Sequence, residues 1–377
     1  MNIAFCLYKY FPFGGLQRDF YSIAHKCAQR GHSVTCFTRE WEGEVPEWLH
    51  LRYVPTRAVT NIAKDTQFVK HVKTLLKESD YDCVVAFNRM PGADIYYAAD
   101  PCYAAQVQSR HKLYRLTRRC RRRLKWERRT FSPSAPTHML LLTELQKEEF
   151  QRTYGTPEER CHVLPPVLNK SRVQQAYDAH SRGRIREEFG VSENQFLLLA
   201  VASAFDVKGV DRTLNALAAL PTEVKERITY IVAGEGHIAK YKKLARRRRV
   251  SHLCHFAGGR EDVPEFYAAA DIFVHPARVE NSGVALLEAV AAGLPTITTD
   301  VCGYAPYIRE AHAGIVLPAP FQQEKFNQTL TDLVDAPEKI AHFAANGREL
   351  GKKEKLYRGH ERAVDLIEWC AANSKRT

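Results

Sequence analysis

Short apolar runs of strand length alternate with longer amphipathic stretches of helical period along most of the chain. In the first half, strand patterns at residues 2–8, 33–38, 83–87, 95–99 and 138–142 are interleaved with helical patterns at 16–29, 67–76 and 144–154. Such alternation predicts a parallel sheet covered on both faces. The pattern pauses at Val163-Leu164-Pro165-Pro166, and the polar segment 169–186 reads as the link to a second domain. A second series follows, with strands at 196–201, 228–233, 252–256, 272–275 and 296–298 and helices at 211–220, 238–248, 263–269 and 283–292. The prediction is an α/β chain of two Rossmann-like domains, 1–166 and 167–354, without sequence repeat between them. A last helical stretch, 358–371, comes after the second series is complete.

Open parallel sheets bind ligands at the carboxyl ends of their strands, and two facing halves would join those ends in one central cleft. Glu280-Asn281-Ser282-Gly283-Val284-Ala285-Leu286-Leu287-Glu288 is the stretch best suited to such an edge. Its apolar positions predict a buried helix capped by Asn281 or Ser282 and ended by Gly293 and Pro295. The free N–H groups at its start, with the helix dipole, favour an anion such as a diphosphate. Glu280 and Glu288 would then take hydroxyl groups on either side, which describes a nucleotide-sugar; the plain alternative is an ordinary buried helix. Gly14 and Gly15, between the first strand and first helix, let the backbone approach a phosphate, though a bare glycine pair also serves simple turns.

Lys208, between a strand and a helix, is placed to neutralise charge on a departing diphosphate, the alternative being a solvated loop lysine. Gly234-Glu235-Gly236-His237-Ile238-Ala239 fits a dinucleotide fingerprint, but Glu261 and Asp262 fall too far along to meet a ribose. Asp80-Tyr81-Asp82 precedes a strand rather than following one, so it reads as a polar turn, and no metal is expected.

The 377 residues fit about two domains, and a hydrophobic share of 45% is ordinary for a globular protein. Ten cysteines without a Cys-x-x-Cys pair look like reduced thiols, and the start lacks a signal-peptide pattern. No apolar run approaches the ~20 residues that span a bilayer, and the expected location is cytoplasmic. A net charge of +12 calls for an acidic partner. Its densest source is Arg110, Lys112, Arg115, Arg118, Arg119, Arg121, Arg122, Arg123, Lys125, Arg128 and Arg129, interleaved with apolar residues including Trp126 and opposed only by Glu127. A solvated basic face is the usual outcome. This density suits an anionic membrane surface, where each cation contributes about 1 kcal/mol. Nucleic acid is the rival partner, but no nucleic-acid motif accompanies the charge.

The run from Glu280 to Glu288, continued by Ala289 and Gly293-Leu294-Pro295, resembles the Glu-x7-Glu signature of the retaining glycosyltransferases of family 4. Lys9 to Phe20, Trp41-Glu42-Gly43, Phe87 to Gly92, Tyr114 to Thr117 and Val301 to Ala305 are similar to the bacterial lipopolysaccharide core glucosyltransferases of that family. The resemblance implies the GT-B fold, with the final helix (355–377) completing the first domain. It also implies metal-independent, retaining transfer of glucose from UDP-glucose to an inner-core heptose, no cofactor, and docking on the cytoplasmic face of the inner membrane through 110–129. Glu280 and Lys208, carried over by residue, are candidate catalytic groups; Asp100 joins them from its place after a strand of the first half, where the wider superfamily often has a histidine. Gly14, Gly15, Asp19, Arg172, Ser203, Arg260, Asn281, Ser282, Gly283, Val284 and Glu288 join Glu280 and Lys208 in donor binding. Ala202-Ser203 departs from the Gly-Arg of the wider superfamily, and Arg172 is expected to compensate.

Overall fold

The computed structural model describes residues 1–12, 14–108, 111–176 and 179–373. They form two compact units, Met1–Pro166 plus the chain from Arg358 onward, and Val167–Tyr357. The first holds strands β1 (Asn2–Cys6), β2 (Lys9–Tyr10), β3 (Ser33–Thr38), β4 (Glu40–Trp41), β5 (Leu49–Tyr53), β6 (Cys83–Ala86), β7 (Ile95–Ala98), β8 (His138–Leu141) and β9 (Cys161–Val163). Seven form one sheet in the order β5-β3-β1-β6-β7-β8-β9, every pair parallel. Period-two alternation along β1 sends Ile3 and Phe5 into one core with Phe20, Ile23, Val364 and Ile367, and Ala4 and Cys6 into another with Phe68, Val72 and Phe150. The final helix, Gly359–Asn373, therefore belongs to the first unit, and Arg30 adds contacts of 2.8 Å to both Asp365 and Glu368.

The second unit holds β10 (Phe196–Val201), β11 (Ile228–Ala233), β12 (Cys254–Gly258), β13 (Ile272–His275), β14 (Thr296–Thr299) and β15 (Gly314–Leu317). Their order is β12-β11-β10-β13-β14-β15, again parallel throughout. Leu197 and Leu199 face one core, Leu198 and Ala200 the other. Each sheet reverses its strand order once, beside β1 and β6 in the first unit and beside β10 and β13 in the second. At such a reversal the adjoining loops turn to opposite faces of the sheet and leave a crevice at the strand ends. Among the described helices none is long and apolar enough to cross a membrane.

Several expectations need correction. The polar segment read as a link folds into helices Lys170–Gln175 and Ala179–Glu188 of the second unit. Its polarity is structural: buried Arg186 donates to the carbonyls of Ala269, Ser192 and Gln195 at 3.1, 2.6 and 2.6 Å. The strand expected at 252–256 starts at Cys254, because Ser251–Leu253 makes a 3-10 turn. The short edge strands β5, β9 and β15 and the helices Gln323–Val334 and Pro337–Gly351 were not anticipated.

Candidate active site

In the second unit, the loops after β10 and β13 are knit together at the order reversal. Gly209 has φ +73°, and a Cβ there would overlap the Pro276 carbonyl, so only glycine fits. Arg212 donates to the Pro276 and Ala277 carbonyls at 3.0 Å each, and Arg278 pairs bidentately with Asp211 at 2.7 Å. These ties fix the short helix Phe205–Lys208 against the loop that carries Glu280.

Lys208 is accordingly no solvated loop residue: its ammonium pairs with Glu280 Oε2. His275, at the end of β13, places Nε2 3.2 Å from the same oxygen. Burial raises the Glu280 pKa, but the His275 hydrogen bond and the Lys208 charge outweigh it and bring the carboxyl down to about 2. Burial likewise lowers the His275 pKa, and hydrogen bonds with Cys302 and Glu280 reverse this and lift the imidazole to about 9. Sequence reading missed His275, whose only signal was its position at the end of a strand next to the reversal.

The predicted helix spans Val284–Ala291, and its cap is Gly283 at φ 96° with no side-chain cap bond, so neither Asn281 nor Ser282 caps it. A left-handed residue at that point replaces the extended conformation a serine or asparagine cap adopts. Ser282 instead accepts from Tyr304 N through its carbonyl at 2.8 Å, and Asn281 is half-buried beside it. Val284 is 38% exposed at the helix start. Glu288, on the inner side of the second turn, is buried, with Arg172 Nε 3.3 Å from Oε1 and Tyr267 Oη donating to Oε2 at 3.3 Å. Arg172 lies on the Lys170–Gln175 helix, not in a loop.

The remaining donor-site candidates divide. Ser203 is exposed just after β10. The Arg260 guanidinium is committed to Glu188 and Asp262, at 2.7 and 2.8 Å, so a donor contact at this position falls to its backbone. The fingerprint glycines have packing reasons: a Cβ on Gly234 would overlap the Ala202 carbonyl, and one on Gly236 the Phe205 ring.

In the first unit, Gly14 caps the Gly15–Gln29 helix with its backbone alone, and Gly15 has open space where a Cβ would stand. Asp19, expected in donor binding, accepts from Tyr97 Oη on Oδ2 at 2.8 Å and has His360 Nε2 2.9 Å from Oδ1. Its carboxylate ties the first helix, β7 and the final helix together. Asp100 lines a cavity of about 150 Å³ with Tyr8, Asp65, Asn88, Arg89 and Arg123, at the carboxyl ends of β1, β6 and β7.

The basic segment forms a 3-10 turn, Lys112–Leu116, and a helix, Arg118–Phe131; Arg110 lies outside the described residues. Lys112, Arg115, Arg118, Arg119, Arg121, Arg122, Lys125, Arg128 and Arg129 are exposed, and Arg123 is half-buried over the Tyr103 ring. Trp126 does not belong with them. Helical period turns it inward with Phe131, where it packs in the core beneath Arg122. Glu127 is buried as well, accepting from Tyr103 N, Ala104 N and Tyr154 Oη at 2.7, 2.8 and 2.6 Å. The one acid of the segment thus leaves the outer face unopposed, flanked by Leu113 and Leu116 at 68% and 58% exposure.

Two family models match the chain: Glycosyltransferase Family 4 over residues 13–172, and Glycosyl transferases group 1 over 181–350. The lipopolysaccharide glucosyltransferase WaaG of Escherichia coli (strain K12) is 44% identical over 369 residues, covering 97% of this chain and 98% of that protein. The crystal structure of WaaG, a glycosyltransferase involved in lipopolysaccharide biosynthesis, matches with a TM-score of 0.88 over 97% of this chain and 99% of that one. Anabaena Alr3699/HepE in complex with UDP-glucose shares the fold, with a TM-score of 0.71 at 16% identity over 98% of this chain and 99% of that one. With two Rossmann-like sheets and full-length likeness to one such enzyme, the chain belongs to the family 4 glycosyltransferases and has their GT-B fold.

Proposed function

We propose that the enzyme transfers glucose from UDP-glucose to an inner-core heptose of lipopolysaccharide, with retention of the anomeric configuration and without a metal ion. The observation that carries this reading is the 44% identity to WaaG over nearly the whole of both chains. The site supports it: Glu288 holds the ribose hydroxyls, Glu280 the donor sugar, and Arg172 adds positive charge near the phosphates. Lys208 and the N–H groups at the start of the Val284–Ala291 helix stabilise the leaving diphosphate. The acceptor hydroxyl attacks from the face the diphosphate leaves, and a β-phosphate oxygen takes its proton. The Asp100 cavity, lined by two carboxylates, an amide and guanidinium groups, suits the hydroxyl groups of the acceptor sugar. The exposed basic face with Leu113 and Leu116 holds the enzyme on the anionic cytoplasmic face of the inner membrane.

The test is UDP release from UDP-glucose in EDTA, with and without a heptose-terminated core, beside Glu288→Ala. Core-dependent release that persists in EDTA and is lost in the variant supports donor, acceptor and metal-free chemistry together. Release from a different UDP-sugar alone would replace the donor. No release, with DNA bound by the basic helix, would overturn the reading.

A further inference from the structure

Two cationic side chains, Lys208 and His275, converge on one oxygen of Glu280, its Oε2. Neither contact uses Oε1, which remains to accept a hydroxyl group from the donor sugar. The two partners differ in freedom. Lys208 ends a four-residue helix on a flexible stem and also serves the diphosphate in the function proposed above, on which this inference rests. His275 is fixed. Its side chain is 3% exposed, its ring is parallel to that of Phe273 at 6.0 Å, and Thr298 Oγ1 donates to its carbonyl at 3.1 Å. On its other side stands Cys302, whose Sγ lies 3.3 Å from Thr298 Oγ1 and whose backbone pairs with Glu280 in an isolated β-bridge.

If Lys208 were the only countercharge, its move toward the diphosphate would strand a nearly buried carboxylate, and an unpaired charge there is strongly unfavourable. We propose that His275 is a positioning residue of the transfer reaction, anchoring Glu280 through Oε2 while Lys208 exchanges between that carboxylate and the donor diphosphate. Oε1 then stays aimed at the sugar throughout. The titratable groups facing the ring are Glu280 and Cys302, with Lys208 acting through Glu280. The imidazole is raised to about 9, so the anchor is intact at neutral pH and weakens as pH rises through that value.

Three variants and one spectrum test this. His275→Leu lowers kcat on the order of a hundredfold, His275→Gln, which retains an N–H donor, lowers it about tenfold, and neither moves the Kd for UDP more than about threefold. Wild-type kcat declines on the alkaline side near pH 9, and His275→Gln loses that limb. Cys302→Ala, which removes the second hydrogen bond of the ring, shifts the limb to lower pH. Nitrogen-15 NMR of histidine-labelled wild-type enzyme shows both His275 ring nitrogens protonated at pH 7.5. A neutral His275 ring at that pH, an unchanged kcat in a folded His275→Leu enzyme, or a loss of UDP affinity matching the loss of kcat overturns the anchor. Absence of turnover in the wild type would instead sink the donor assignment, and the spectrum still reports on the anchor.

Discussion

Arg172 Nε lies 3.3 Å from Glu288 Oε1, so the carboxylate assigned to the ribose is neutralised by an arginine 116 residues earlier in the chain. Tyr267 secures the other oxygen. Glu288 is thus held in one orientation before any nucleotide arrives, which reduces the ordering cost of binding. Glu288→Ala should weaken UDP binding by about 10- to 100-fold, worth roughly 1.4–3 kcal/mol. Arg172→Ala should weaken it too and also lower the melting temperature, because a nearly buried carboxylate loses its countercharge. Titration calorimetry with UDP and a thermal melt separate the two effects. A melt unchanged by Arg172→Ala would count against the pairing.

Lys208→Ala should lower kcat more than donor affinity, since negative charge grows on the diphosphate as the bond to glucose breaks. The contrast is measured by kcat and by UDP-glucose binding on the same preparation. A change confined to KM would argue for ground-state binding alone.

The cluster around Glu280 makes stability depend on pH in two directions. The folded-state pKa of Glu280 is depressed to about 2, so its contribution is present above the ordinary value near 4.3 and is lost as pH falls toward 2. The value for His275 is raised to about 9, so its contribution is full below the ordinary value near 6.5 and is lost as pH rises through 9. The melting-temperature gap between wild type and Glu280→Gln should therefore be widest between about pH 5 and 6.5 and narrow on both sides. A gap independent of pH would remove the ion pairs from the account.

On the basic helix, neighbouring tryptophan and arginine positions should behave oppositely. Replacing Arg118, Arg121, Arg122 and Lys125 by serine should abolish salt-sensitive binding to anionic vesicles with little change in melting temperature. Trp126→Ala should instead destabilise the fold by about 3–5 kcal/mol, as truncation of a buried aromatic does. Leu113→Ser with Leu116→Ser should weaken vesicle binding at constant charge. Vesicle sedimentation beside thermal melts distinguishes the two kinds of loss.

The two-sheet α/β fold was legible from the sequence because period-two runs and helical stretches report local burial directly. The sequence also held Glu280, Glu288 and Lys208, since short-range spacing around glycines marks strand-to-helix turns. It carried less information about edges: β5, β9 and β15 are short and only partly buried, so their patterns are weak. It also misassigned Trp126 and gave no sign of the partners of Asp19. Composition groups Trp126 with the cations around it, whereas the rotation of its helix decides that it faces the core. Asp19 is spoken for by Tyr97 and by His360, the latter 341 positions away, and no local pattern contains that pairing. His275 is the same case: the sequence places it at the end of a strand, but only the packing of β13 against β14 and the return of the Glu280 loop put its ring against a carboxylate. Residue types and their spacing are written along the chain, while partners distant in sequence are set by how strands stack and helices rotate.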